Sequence, residues 1–356
     1  MAISQLSLTD FRNLKSTTLD FDRRFNLIGG ENGSGKTSLL EAIYVLCQAQ
    51  SFRTHQLKQC INHNNTGFML FGRFDGFKAG LARYQDRLEI RINGETIKRR
   101  SELVRRSPIQ VVNADSFVLV DGAPARRRAF LDWCLFHVEP GYADYWRQFQ
   151  HALKQRNRLL KTKQDLNLLD YWDRHLVEPS IELCRMRREY SGRLQEIIEQ
   201  QFPEILQGIP LSSEYRQGWA QGKSLAQSLE DQRDRDIRAG FTGSGIHRDD
   251  LELTTQGRNV GEVLSRGQSK RVCLALLLAV LTLVNETSET PVILLVDDLH
   301  SELDRNGQNL IYQRLIKMDL QLFISNIEQS LPTALDAKDF KMFHVEHGII
   351  KPRNFS

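Results

Sequence analysis

The stretch Gly29-Gly30-Glu31-Asn32-Gly33-Ser34-Gly35-Lys36-Thr37-Ser38 restricts the fold of this chain more than any other. It follows a short apolar run, Phe25 to Ile28, and opens an amphipathic run, Thr37 to Leu46. Gly30 to Thr37 fits G-x-x-x-x-G-K-T without a mismatch, and the chemistry needs that spacing. The glycines let the backbone N–H groups of Gly30, Glu31, Asn32, Gly33, Ser34 and Gly35 curl around a β-phosphate. Lys36 then reaches the β/γ oxygens, Thr37 offers a hydroxyl to Mg²⁺, and Ser38 lies in the first turn of a helix whose positive end points at the phosphates. A Gly-rich turn can match by chance. A strand before it and a helix after it are the context that separates the two readings.

A second stretch supplies carboxylates. Val292-Ile293-Leu294-Leu295-Val296 is a continuous apolar run that ends in Asp297-Asp298. In a parallel α/β sheet the C-terminal ends of the strands are where ligands sit. Asp297 is the natural partner of Thr37 on the metal, and Asp298 is placed to orient or deprotonate an attacking water. Leu264-Ser265-Arg266-Gly267-Gln268 stands just before an apolar helix expected to start near Ser269. It reads either as a plain N-cap or as a second anion site. One nucleotide rarely needs two cradles, so the second meaning implies contact with the γ-phosphate bound to another copy, a two-fold dimer glued by nucleotide. Ser301-Glu302-Leu303-Asp304 follows closely enough to supply a polar contact across such a seam.

Strands are expected at Ile3–Leu8, Leu19–Phe21 and Phe25–Ile28, then at 67–75, 78–84, 88–92 and 109–112, with a hairpin signal at Asn93-Gly94. From Ala125 to about Leu206 the pattern is helical: Arg126–His137, Tyr142–Leu160 and Leu169–Gln201, the last interrupted by Pro179. The segment from Leu211 to Arg238 is ambiguous, with a helix at Ser224–Arg238. Strands return at Leu251–Thr255, Pro291–Asp297 and Leu320–Ser325, helices at Ser269–Asn285 and Asp304–Lys317, and a last hairpin at 341–351. The expected organisation is one α/β domain built from residues 1–122 and 239–356, with a helical arm inserted over 123–238. A chain of 356 residues has room for both. Its five scattered cysteines, with no C-x-x-C pair, read as free buried thiols. Neither a signal peptide nor an apolar run long enough to span a bilayer is visible, so a cytoplasmic location is expected.

These motifs, with Phe11-Arg12-Asn13, Leu39–Tyr44, Ser51-Phe52-Arg53, Arg127–Asp132, Gly245–Arg248 and Met342–Gly348, resemble the ABC/SMC class of ATPase heads. Within that class they are similar to the RecF family of bacterial recombinational repair. The resemblance covers nearly the whole length. It implies a P-loop head of mixed sheet flanked by helices, a β-rich subdomain and a short inserted helical arm. It implies Gly30–Thr37 as phosphate loop, Asp297 and Asp298 as the metal-site pair, and Ser265, Gly267 and Gln268 as signature residues. Gln110 would be the loop glutamine near Mg²⁺, and Ser301–Asp304, Asp304 included, the dimer-seam loop. There are departures: Asp298 stands where most heads of the class carry Glu, Asn326 where a switch histidine is usual, and Ile246 where proline is common. The shorter acid suggests slow hydrolysis. The family further implies ATP and Mg²⁺ as cofactors, an ATP-dependent homodimer and a weak DNA-dependent ATPase. It also implies partnership with RecR and the RecO/RecA pathway in gap repair, replication restart and the SOS response.

Formal net charge is only +4, so a nucleic-acid surface must come from local asymmetry. Arg147 to Lys163 carries six basic residues and no acid among them, Lys154, Arg156 and Arg158 included. Lys98-Arg99-Arg100 with Arg105-Arg106 and Arg126-Arg127-Arg128 are further clusters. They suit phosphate contact to single- or double-stranded DNA without base reading; a solvated helix face is the plainer alternative for any one of them, and Arg128 could pair with Asp132. Two other function classes fit part of the pattern. A P-loop kinase or phosphotransferase explains Gly30–Thr37 and Asp297 but gives Leu264–Gln268 no role. A structural SMC-type DNA organiser needs sustained heptads, which Tyr142–Gln201 lacks.

Overall fold

The run Val292–Val296 is apolar at every position, and such a strand is stable only with both faces covered. It is a strand and is buried throughout. It pairs in parallel with Leu320–Asn326 on one side and with Ile109–Val112 on the other. Phe25–Gly29 pairs in parallel with Leu320–Asn326, and Lys341–Glu346 with Phe25–Gly29. Ile349–Arg353 closes that side as an antiparallel neighbour. The product is a six-stranded mixed sheet whose parallel strands end at one common edge. The computed structural model describes residues 2–288, 291–299, 302–326 and 340–353.

A second six-stranded sheet is antiparallel, in the spatial order Thr17–Asp20, Ile3–Thr9, Gly67–Phe74, Phe77–Tyr84, Leu88–Ile92, Glu95–Thr96. Alternation of buried and exposed residues along Gly67–Phe74 shows that only one face is covered. Asn93 and Gly94 both have positive φ, as a tight two-residue hairpin requires. The helix Lys36–Gln48 joins the two sheets through one core. Leu39, Ile43 and Leu46 pack with Ile3, Leu6 and Phe68 of the antiparallel sheet and with Ile293, Leu295 and Phe323 of the mixed one. Gln321 is fully buried and satisfied: its amide donates to the carbonyls of Ile3 and Asp22 and accepts from the Ile3 N–H. These elements make one compact unit, Met1–Ser116 with Val284–Ser356.

Phe117–Leu283 makes a second unit. Its long helices are Pro124–Val138, Tyr142–Thr162 and Leu169–Gln201. Leu176, Leu183, Tyr190, Leu194 and Ile198 recur on one buried stripe of the last. The helix continues through Pro179. A proline there costs about 3 kcal/mol of helix stability, and burial of several side chains at about 1.5–3 kcal/mol each outweighs it. The division at residues 116 and 283 differs from the arm expected at 123–238. An unanticipated strand, Leu211–Arg216, pairs along its whole length with Asp250–Thr255 and ties that segment to this unit. Helix Arg266–Thr287 is long and apolar enough to span a bilayer by length and composition. Its middle, Val272 to Val284, is instead largely buried within the fold. All five cysteines are buried and free, and burial pushes the Cys47, Cys134 and Cys273 thiols up to about 12.

Candidate functional site

Phe25–Gly29 ends at the common edge of the mixed sheet, and the chain turns through Gly30–Gly35 into the helix Lys36–Gln48. Three glycines make that turn possible, with φ of 151° at Gly30, 78° at Gly33 and 123° at Gly35. A Cβ on Gly30 would sit 2.3 Å from the Val345 carbonyl oxygen, and one on Gly35 would sit 2.8 Å from a Leu14 methyl. The loop therefore lies against the chain behind it, which keeps its N–H side open. Lys36 Nζ spans the loop and donates to the carbonyls of Gly30 and Glu31 at 2.7 and 2.8 Å. Burial lowers the Lys36 pKa, and the charges of Asp298 and Asp297 offset part of that.

Asp297 arrives from the neighbouring strand. Its Oδ1 accepts from Thr37 Oγ1 at 3.1 Å and from Ser325 Oγ at 2.7 Å. Ser325 in turn accepts from the Asp298 N–H at 3.0 Å. Asp298 sits at φ 52°, a left-handed conformation that costs a residue with a Cβ energy and clusters at functional sites. A cleft of about 1030 Å³ opens here, lined by Asn32, Gly33, Lys36, Thr37, Asp297 and Asp298 among others. Thr37 and Asp297 offer two hard oxygens at one point. That suits Mg²⁺, which keeps several waters and is bound by one or two protein oxygens plus substrate phosphates. So the strand–loop–helix and carboxylate strand expected from sequence come together as one site.

Sequence reasoning gave no role to two supports of this loop. Asn13 accepts from Ser38 Oγ at 2.8 Å and donates to the Ser34 carbonyl. Gly348, in the turn of the C-terminal hairpin, donates its N–H to that same Ser34 carbonyl at 2.9 Å. Its φ is 78°, and a Cβ would lie 2.0 Å from the Asn13 carbonyl oxygen. The Phe11-Arg12-Asn13 and His347-Gly348 sequences signalled both, through family likeness alone. Glu41, wholly buried on the same helix, takes both arms of Arg12 and the Ser51 hydroxyl, with Arg53 at 3.3 Å.

Gln110 is not brought to this edge. It pairs opposite Leu294, three residues before Asp297, and is absent from the cleft wall. At about 3.3 Å per residue that is roughly 10 Å short of the edge. The residue that its strand delivers there is Asn113, whose side chain bonds Ser116. Asp304 caps the helix Arg305–Lys317 by accepting from the Gly307 N–H. Ser301 and the side chain of Asn326 lie outside the described residues.

Ser265, Gly267 and Gln268 belong to the second unit, at the start of helix Arg266–Thr287. Ser265 and Gln268 bond each other reciprocally, at 2.9 Å from the Ser265 N–H to the glutamine side chain. This is the expected capping arrangement. Gly267 is exposed, and a Cβ on it would touch nothing within 4 Å.

Two arginines expected to meet DNA are consumed inside the second unit. Arg127 forms a two-pronged bond to Asp250 and donates to the Gly122 carbonyl. Arg156 is completely buried between Asp173, Asp236 and Thr242. Guanidinium groups so enclosed cannot reach a phosphate. Arg128 is half-buried and bonded to the Asp249 carbonyl, and Asp132 pairs with Arg187 instead. Lys154, Arg158, Arg99 and Arg100 are exposed.

A parallel sheet edge carrying a phosphate loop, its lysine and threonine, and a carboxylate pair on the adjoining strand define a P-loop nucleotide-binding head of the ABC/SMC type. The chain belongs to the RecF/RecN/SMC N-terminal domain family, whose model matches residues 2–351. It is 38% identical to the DNA replication and repair protein RecF of Shewanella halifaxensis, over 98% of both chains. The same identity and coverage relate it to the RecF of Cellvibrio japonicus. Among solved structures it superposes on the recombination mediator protein RecF-ATP of the RecFOR pathway with a TM-score of 0.88, at 26% identity, covering 99% of this chain and 97% of that one.

Proposed function

We propose that this chain is an ATP-dependent, sequence-independent DNA-binding protein of recombinational repair, in which ATP joins two heads and slow hydrolysis releases them. Gly267 is the observation that carries the dimer. A glycine in the first turn of a helix costs up to about 1 kcal/mol relative to alanine, and no described residue comes within 4 Å of where its Cβ would be. Close approach of another surface to that helix start needs one. A γ-phosphate held on the loop of a second copy, with Ser265 and the free N–H groups around it, meets the requirement. A phosphotransferase reading leaves Gly267 without work, whereas Ser265 caps its helix in either reading.

In this reading the loop amides and Lys36 hold the triphosphate, and Thr37 and Asp297 would hold Mg²⁺, which would supply charge neutralisation to the phosphates. Asp298, fixed through its N–H to Ser325, accepts a proton from or orients the attacking water. DNA contact, whether to single strands, duplex or gaps, comes from cations that remain free. RecR, with RecO and RecA, are the partners expected from the pathway of the RecF relatives, with roles in replication restart and SOS induction. Asp298→Asn keeps the shape and removes the base. It is expected to leave ATP affinity within about threefold and to lower DNA-stimulated turnover by about a hundredfold or more. Unchanged phosphate release would remove Asp298 from the mechanism.

A further inference from the structure

Beside the nucleotide cleft, and sharing Lys58 and Gln85 with it, lies a groove of about 760 Å³ in the first unit. Its wall carries His55, Lys58, Arg83 and Arg100, the amides of Gln50, Gln56 and Gln85, and the hydroxyls of Ser51 and Thr54; it carries no acid. Lys58, Arg83 and Arg100 form no ion pair with any described residue. Arg83 is held by one bond, from Nη2 to the Gln85 carbonyl at 3.3 Å, and its buried Nε has no protein partner. Partial desolvation lowers the Arg100 pKa although the residue stays exposed, and the opposing charge comes from Tyr44 and from no carboxylate. By contrast, Arg12 and Arg53 in this unit share the Glu41 carboxylate. Cations gathered without acids in a concave wall focus a positive potential outward.

We infer that this groove is a binding site for the phosphodiester backbone of nucleic acid, with Arg83 and Arg100 as its phosphate contacts. The inference rests on the DNA-binding reading above and gives it a location. The ligand is a backbone because the wall mixes cations with the side-chain amides of Gln50, Gln56 and Gln85, donors of the kind that contact phosphate and sugar. No Phe, Tyr or Trp lines the groove, and its one ring is the imidazole of His55. Exposed Arg99 adjoins the groove in sequence and extends the same charge. The groove is also tied to the nucleotide helix. Ser51 lines the groove, donates to Glu41 on that helix at 2.5 Å, and accepts the N–H groups of Arg53 and Thr54.

The test uses a fluorescent 30-base-pair duplex of arbitrary sequence, titrated with the full chain in ATP at several salt concentrations. Arg83→Ala with Arg100→Ala is expected to weaken duplex binding roughly tenfold near 100 mM salt and to reduce the slope of log affinity against log salt by about 2. Affinity for a fluorescent ATP analogue should stay within about threefold, because neither arginine lines the nucleotide cleft. The matched control, Lys154→Ala with Arg158→Ala, should change the slope less. Wild-type affinity and slope in the groove variant would overturn the groove while leaving DNA binding intact. A wild-type chain that binds no duplex with or without ATP would overturn the DNA reading itself, and the groove with it.

Discussion

Lys36→Ala is expected to weaken binding of a fluorescent ATP analogue by about a hundredfold or more, or about 3 kcal/mol. The lysine is the one cation that the phosphate loop brings to its own mouth, where Nζ already lies within 2.8 Å of two loop carbonyls. Removing it takes away a charge-assisted bond to the β/γ oxygens. It also leaves the carboxylates of Asp297 and Asp298 facing a triphosphate with one cation fewer between them, so the loss exceeds that of one neutral hydrogen bond. Lys36→Arg should rescue little, because a planar guanidinium cannot stand where a compact ammonium fits between two carbonyls. The variant's melting temperature without nucleotide should stay near wild type, while the upward shift on adding ATP disappears. Affinity within a few-fold of wild type would place the triphosphate elsewhere.

Arg187→Ala is expected to cost about 3–5 kcal/mol of stability in the second unit. The guanidinium is completely buried, bonds Asp249 at 2.5 Å and the Ile246 carbonyl at 3.0 Å, pairs with Asp132 and lies over the Trp146 ring. Without it, Asp249, itself buried, keeps only the Tyr215 hydroxyl. Burial already raises the Asp249 pKa above the ordinary carboxyl range, with Arg187 opposing the shift. Losing Arg187 raises it further. A carboxyl whose folded pKa exceeds its unfolded one holds more protons when folded, so stability falls as pH rises between the two values. The variant should therefore recover stability on acidification from neutral pH toward 5, and Arg187→Ala with Asp249→Asn should be more stable at pH 7.5 than the single variant. Urea denaturation at both pH values measures this. Equal instability of the single and double variants would mean that packing, not the stranded charge, sets the cost.

What was legible in the sequence follows from range. The phosphate loop, its strand and its helix are read from adjacent residues, and Val292–Asp298 announces a buried strand by unbroken hydrophobicity. Arg127 and Arg156 misled because a basic run looks the same whether it faces water or acids supplied from elsewhere. Their partners, Asp250, Asp173 and Asp236, come from distant helices and strands. Leu211–Arg216 alternates buried and exposed residues perfectly, but Ser213 at a buried position hid the period. Gln110 was implied by the family resemblance, and only strand register shows that it stops short of the edge. Gly348 could not be assigned a task until the hairpin that holds it was paired beside Phe25–Gly29.

The central claim is that each chain carries half of a nucleotide site. Its most direct test is the mass of the particle in solution, by light scattering after size-exclusion chromatography, with and without ATP and Mg²⁺, for wild type and for Ser265→Arg. The account predicts a wild-type mass that doubles with ATP. It predicts a Ser265→Arg chain that binds the ATP analogue as tightly as the wild-type monomer yet keeps the single-chain mass. A wild-type chain of unchanged mass under saturating ATP, or a Ser265→Arg chain that dimerises as wild type does, would contradict it.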